Sequence, residues 1–230
     1  MQTILKSVIP VLLLALPVWT APAQFQGRVV SDNVASDETG APKRYRMTVT
    51  LGPGAGRIET DSRDGLPPTV MIARKDPPVL WMLDPAAKSY MEVRRVRAHT
   101  GADSAAHAVH ELPPSMRRTG KKTKLLGYPC EEILMKQGEM ETRLMVTDRL
   151  ADLARTMQSL FAAGSGEEEP GAAALYRLGL YPLSSASSYN REVIESQYVT
   201  AVERLAPDST LFVVPQGYRR QSAPGTSIPR

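Results

Sequence analysis

Few residues of this 230-residue chain have the type and spacing needed to do chemistry. All three histidines, His99, His107 and His110, fall in one stretch ending at Pro114, with Glu111 beside the last. His107 and His110 can share one face of a helix and hold a metal ion, and with Glu111 they would make a hydrolase or metal enzyme. The stretch around them is Ala-rich and loop-like, and no further ligands follow at metal spacing, so no metal and no cofactor is expected. Cys130 is the single cysteine. It can form no internal disulfide, and beside Pro129 it reads as a small buried hydrophobe rather than a reactive thiol. Glu131 and Glu132 are adjacent, and adjacent strand residues point to opposite faces, so the two carboxylates cannot act on one substrate. Ser184-Ser185-Ala186-Ser187-Ser188 reads as turn material. Gly52-Pro53-Gly54-Ala55-Gly56 leads into the strand-like run Arg57-Ile58-Glu59-Thr60, whereas a phosphate-binding loop must lead into a helix N-terminus. The chain has no G-x-S-x-G, H-E-x-x-H, Walker A or C-x-x-C motif. A protein that is not an enzyme is expected.

The N-terminal stretch carries an export pattern. Lys6 precedes an apolar core from Val8 to Trp19, and Ala21-Pro22-Ala23 is a small-x-small cleavage site. Residues 1–23 are therefore expected to be a cleaved signal peptide, placing the mature chain in the periplasm or outside the cell. The apolar run is too short, and too broken by Pro10 and Pro17, to span a bilayer as a helix. Residues 24–218 are expected to form one domain, and residues 219–230, polar with two prolines, a disordered tail.

The formal net charge is +4, from 28 Lys and Arg against 24 Asp and Glu. That is mild, and aromatic residues do not interleave with the positive charges, so nucleic acid is not an expected partner. The basic residues are unevenly spread. Arg94, Arg95 and Arg97 come before the histidine-bearing stretch, and Arg117, Arg118, Lys121, Lys122 and Lys124 come after it. Such a rim suits an anionic membrane surface or an acidic envelope protein. It equally suits an edge strand guarded by its charges against edge-to-edge aggregation.

Around these residues the pattern is mostly that of strands. Tyr45–Leu51 alternates apolar and polar side chains, and Thr69–Ala73, Val79–Leu83 and Ser89–Val93 are short apolar runs bounded by Pro, Asp and Gly. Trp81 and Tyr90 fall on two strands of one hairpin. In the centre, strand-like runs flank Gln137-Gly138. A two-residue loop there sets Lys136 opposite Glu139, Glu132 opposite Arg143 and Met135 opposite Met140. Residues 149–162 form the one strong helical pattern, with Leu150, Leu153, Met157, Leu160 and Phe161 on one stripe. Residues 174–180 suit a second, short helix, residues 191–205 suit one long bent strand or two, and Leu211–Val214 suits a final strand. About ten strands with one or two helices and no βαβ rhythm indicate a mainly β (α+β) antiparallel fold.

Four motifs carry a resemblance. They are Phe25-Gln26-Gly27, the Trp81-Met82-Leu83-Asp84 and Lys88-Ser89-Tyr90 hairpin, Gly127-Tyr128-Pro129-Cys130-Glu131, and Phe212-Val213-Val214-Pro215-Gln216-Gly217-Tyr218. With them the mature chain resembles an uncharacterised family of exported bacterial domains of unknown function, itself similar to periplasmic lipoprotein carriers of the Lol type. The resemblance implies an incomplete barrel wrapped around a helix, with an apolar concave face, and brings no catalytic residues. The expected function is to bind an apolar or amphipathic ligand, such as a lipid, an acyl chain or a lipoprotein. Trp81, Tyr90, Met140, Leu144, Leu153, Met157, Leu160 and Phe161 are the candidate lining, and Met side chains adapt to varied apolar shapes. The alternative is a structural or interaction module of the cell envelope that docks through a sheet edge or the basic rim.

Overall fold

The structure is a computed structural model that describes residues 24–37, 39–62, 64, 67–93, 115–164 and 170–221. The expected signal peptide, Arg94, Arg95, Arg97, the three histidines, Glu111 and residues 222–230 lie outside the described residues.

Among the described residues twelve strands form one open sheet. A first meander runs through β1 (Gly27–Ser36), β2 (Pro42–Gly52), β3 (Ala55–Ser62), β4 (Thr69–Lys75), β5 (Pro78–Asp84) and β6 (Ser89–Val93). A second runs through β7 (Ser115–Leu125), β8 (Tyr128–Gln137), β9 (Met140–Thr147), β10 (Tyr181–Tyr189) and β11 (Glu192–Arg204). Within each meander every strand pairs antiparallel with its neighbour in the chain, and β1 joins the two by pairing with β11. β12 (Arg219–Gln221) adds a short parallel strand to β6. The helices α1 (Ala151–Gly164) and α2 (Pro170–Arg177) fall between β9 and β10.

Alternation decides which side chains are buried. In β1, Gly27, Val29, Ser31 and Asn33 are buried, while the residues between them are more exposed. Register carries that face across the sheet. Val29 pairs with Val49, Val49 with Ile58, Ile58 with Met71, Met71 with Met82, and Met82 with Met91. Val29, Val49 and Ile58 pack in one cluster with Leu150, which precedes α1, and with Leu153, Met157 and Leu160 of α1, so this is the inner face. α1 touches β4 and β5 and also β10, strands far apart in the sheet order, so the sheet curls around the helix. Gly56 of β3 makes the approach close: the position of a Cβ there is 2.8 Å from Leu160 Cδ1. α2 rests on β8 and β9 through Leu175, Ile133, Leu144 and Val146.

Several elements differ from expectation. The central hairpin turns at Gly138-Glu139, with Gly138 at φ +57°, so Gln137 pairs with Met140 and Lys136 with Glu141. The slip is two residues, which keeps every side chain on its expected face. The run before it contains a second turn at Leu126-Gly127 that separates β7 from β8. The serine run 184–188 is the interior of β10, where Ser187 hydrogen-bonds Thr142 of β9 at 3.1 Å. Residues 192–204 form one long strand whose register shifts opposite Val30/Ser31. Leu211 and Phe212 end a 3-10 turn (Ser209–Phe212) capped by the Asp208 side chain, not a strand, and Arg219–Gln221 form β12 rather than disordered tail.

Candidate functional site

α1 is held at its N-terminal end by charge and along its length by apolar burial. Arg204, at the end of β11, donates to both carboxylate oxygens of Asp152, at 2.7 and 3.2 Å. Burial alone would raise the Asp152 carboxyl, but these hydrogen bonds and the guanidinium charge bring it below its ordinary value. The same guanidinium lies 4.9 Å from the centroid of the Phe25 ring. The backbone N–H of Phe25 donates to Thr156 Oγ1 at 3.1 Å. Leu150 and Leu153 are fully buried, and Met157 and Leu160 nearly so. Leu150, Leu153, Met157 and Leu160 are thus core residues packed with side chains of β1, β2 and β3.

The eight candidate lining residues do not meet in one place. Leu153, Met157 and Leu160 belong to the α1 cluster. Leu144 is buried under α2, and Met140 stands at the β8–β9 turn opposite Gln137 and Tyr189. Phe161 lies on α1, with its side chain outside the described residues. Trp81 and Tyr90 share a cluster, as expected for the hairpin, but it is on the outer face. There they pack with Ile72, Leu83, Phe212 and Tyr218. Phe212 and Tyr218 come from the segment after β11, which folds back across the outside of β3–β6. The alternation of β5 predicts which residues share a face with Trp81, but cannot assign that face to the helix or to the C-terminal segment.

Sequence reasoning missed the part of the inner face that α1 leaves open. Along the row Val29, Val49, Ile58, Met71, Met82, Met91, the first two are under 5% exposed, and Met82 is 40% exposed. Met71 and Met91 are half-buried, and Val93 is as exposed as Met82. A pocket of about 240 Å³ is lined by Met71, Met82 and Met91 together with Thr69, Ser89 and Gln221. The signal was available: three methionines at matching places in three successive hairpin strands.

The outer face carries a second pocket of about 420 Å³, lined by Arg46, Thr48, Arg57, Glu59 and Tyr218 among others. Its charges are internally matched. Arg46 pairs with Asp32 at 2.9 Å, Arg57 pairs with Glu59 at 2.8 Å, and Arg57 also donates to the Leu211 carbonyl at 3.2 Å.

The basic residues lie on β7, an edge strand of the sheet, and almost all of it is exposed. Arg118 pairs with Glu131 at 2.9 Å, and Lys121 reaches Glu132 at 3.4 Å. The hydroxyl of Thr119 donates to Glu132 at 2.9 Å; with the nearby Lys121 it holds that carboxyl below its ordinary value. Among the described residues Arg117 and Lys122 make no ion pair. Arg94 and Arg95, expected on the same rim, lie outside the described residues. Cys130 is buried in the α1 cluster, and burial pushes its thiol up. Among the described residues no three His, Cys, Asp or Glu side chains gather to hold a metal, and no helix is long and apolar enough to cross a membrane.

Three solved structures put the fold in context. The chain is similar to an uncharacterized conserved protein from Thermus thermophilus, at 10% identity and a TM-score of 0.51. That match covers 86% of this chain and 91% of the other. A LolA superfamily protein from Nitrosomonas europaea matches at 10% identity and a TM-score of 0.37, over 83% and 90% of the two chains. An outer membrane lipoprotein-sorting protein domain from Vibrio parahaemolyticus, described as putative, matches at 8% identity and a TM-score of 0.33, over 81% and 89%. No curated protein matches the chain. The model of a domain of unknown function, DUF4412, matches residues 33–218, and the chain belongs to that family.

Proposed function

We propose that this is an exported envelope protein that binds an apolar or amphipathic ligand, such as a lipid, an acyl chain or the lipid part of a lipoprotein, without catalysing a reaction. The observation that carries the reading is the row on the inner face. It begins as sealed core under α1 and continues, in unbroken register, into exposed Met82 on β5. A half-covered apolar surface of this kind, lined by adaptable side chains and continuous with a core, favours an apolar guest. The guest lies on β4–β6 around Met71, Met82 and Met91, in a pocket that Tyr90 of the candidate lining also borders. The signal pattern of residues 1–23 supports export.

The test is to express the full chain in a periplasm, purify it, extract it with organic solvent and identify lipids by mass spectrometry. A stoichiometric lipid that is lost on Met82→Lys supports the reading. A folded, lipid-free protein refutes it.

The second reading is an interaction module that docks through β7, and one observation favours it: the edge strand is exposed and carries Arg117 and Lys122 outside any ion pair among the described residues. Loss of partner crosslinking in Arg117→Glu/Arg118→Glu supports that reading, and unchanged crosslinking removes it.

A further inference from the structure

We infer that Met71, Met82 and Met91 form a soft-metal site that takes a monovalent d¹⁰ ion, copper(I), with silver(I) as its stand-in. Three of the chain's ten methionines stand in one cross-strand row. Met71 pairs directly with Met82, and Met82 directly with Met91, with no register shift in either ladder. Directly opposed residues share a face, and their Cβ atoms are about 4.5–5.5 Å apart. Each side chain has three rotatable bonds, so the two flanking thioethers can lean toward the central one. The three sulfurs can then meet an ion above Met82, which is 40% exposed. The pocket of about 240 Å³ that all three line is small against the ~300–1,000 Å³ usual for drug-sized ligands, and ample for an ion.

The donor set decides the metal. Thioethers are neutral and soft; they select copper(I) over zinc, magnesium or calcium, which want imidazole, thiolate or oxygen. A thioether carries no proton to lose, so binding releases none and stays flat with pH, unlike a site of histidines or cysteines. No carboxylate, histidine or cysteine belongs to the row itself; Asp84, which also lines the pocket, accepts from the Ala87 N–H at 2.9 Å. Apolar burial alone is served as well by Val or Ile, residues that hold the earlier places of the same row as Val29, Val49 and Ile58. Besides their flexibility, three thioethers at three consecutive positions of one ladder add soft donor atoms to an apolar face.

The site uses the same methionines as the lipid-binding reading but does not rest on it, and leucine separates the two. Met→Leu keeps the apolar surface and removes the donor. The experiment titrates copper(I) under anaerobic, reducing conditions into the full chain carrying Cys130→Ser, with bicinchoninate as competing chelator. The expected result is one copper(I) per chain, unchanged between pH 6 and 8 apart from the chelator's own titration. Met82→Leu should weaken binding at least as much as loss of an outer-shell partner does at other metal sites, roughly 10–100-fold. Met116→Leu, at an exposed methionine on β7, should change nothing. A chain that takes no copper(I) from the chelator overturns the inference. So does equal uptake by the Met71→Leu/Met82→Leu/Met91→Leu variant, or equal binding of zinc(II). Circular dichroism of each variant confirms that it is folded, and any lipid bound by the parent should be retained by the leucine variants.

Discussion

Leu153→Ala tests whether α1 is a fixed plug or a lid resting on the sheet. Leu153 is wholly buried, within a cluster that takes in β1, β2, β10 and β11. At about 0.8 kcal/mol per buried carbon group, shortening it to alanine forfeits about 2.4 kcal/mol of transfer free energy. A curled sheet anchored on several sides cannot collapse fully into the vacated space, so a cavity term adds to this. The expected loss is about 3 kcal/mol, inside the 2–5 kcal/mol range for such truncations. A domain of this size loses roughly 2–4 °C in Tm per kcal/mol, which predicts a fall of about 6–12 °C. The assay is urea unfolding followed by far-UV circular dichroism and by tryptophan fluorescence. Trp81 reports from the outer cluster, so coincident midpoints show that the two faces unfold as one unit. The midpoint should fall with the slope unchanged. Leu153→Met, which nearly conserves volume, should cost less than about 1.5 kcal/mol. A loss below about 1 kcal/mol for the alanine variant would refute the reasoning, because it would mean that α1 contributes little burial in solution and opens as a lid.

Other perturbations follow from the same contacts. Arg204→Met removes the two-pronged pair with Asp152 and the charge over Phe25 while keeping an apolar stem; the pair is partly solvated, so calorimetry should read a loss of about 1–2 kcal/mol. Glu132 has its folded pKa held below the ordinary 4.5 by Thr119 and Lys121. Its contribution is therefore fully present above that value and is lost as pH falls through the depressed one. In Glu132→Gln the stability gap from wild type, measured by urea unfolding across pH 7 to 3, should be constant at the upper end and close at the lower. A gap that widens on acidification would contradict the sign. The buried Cys130 thiol should react with a thiol reagent at pH 8 only at the rate of unfolding, and fast labelling of the folded chain would show that it is accessible.

Much of the fold is legible because it is written in period-two alternation and turn residues. The sequence places β6 to the residue, and β4 and β5 to within two residues. What alternation cannot supply is the third dimension. It puts Trp81 and Tyr90 together, yet which side of β5 meets α1 depends on a curl that only long-range contacts define. The serine run of β10 has turn composition, and it forms a strand because β9 and β11 supply ladder partners on both sides. Leu126 conceals a turn, since a leucine there gives no turn signal of its own. The apolar stripe of α1 is plain in the sequence, but a stripe that fills a core and one that roofs a cavity have the same pattern. The open methionine row is the reverse case: each methionine is visible, and only the pairing register reveals that they align.

The way β1 joins the two meanders has a kinetic consequence. Every other antiparallel ladder links strands adjacent in sequence, but Arg28 and Glu203, bonded across the β1–β11 seam, are 175 residues apart. Hairpins within each meander can zip locally, while the seam carries the largest loop-closure entropy in the molecule. Hydrogen-exchange labelling during refolding should protect amides inside the meanders before those between β1 and β11. A chain emerging N-terminus first completes β1–β6 long before β11 exists. During that interval β1 is a bare ten-residue edge, able to pair with the wrong neighbour. Correct pairing of the sheet thus depends on shielding one nascent strand until β11 has been made.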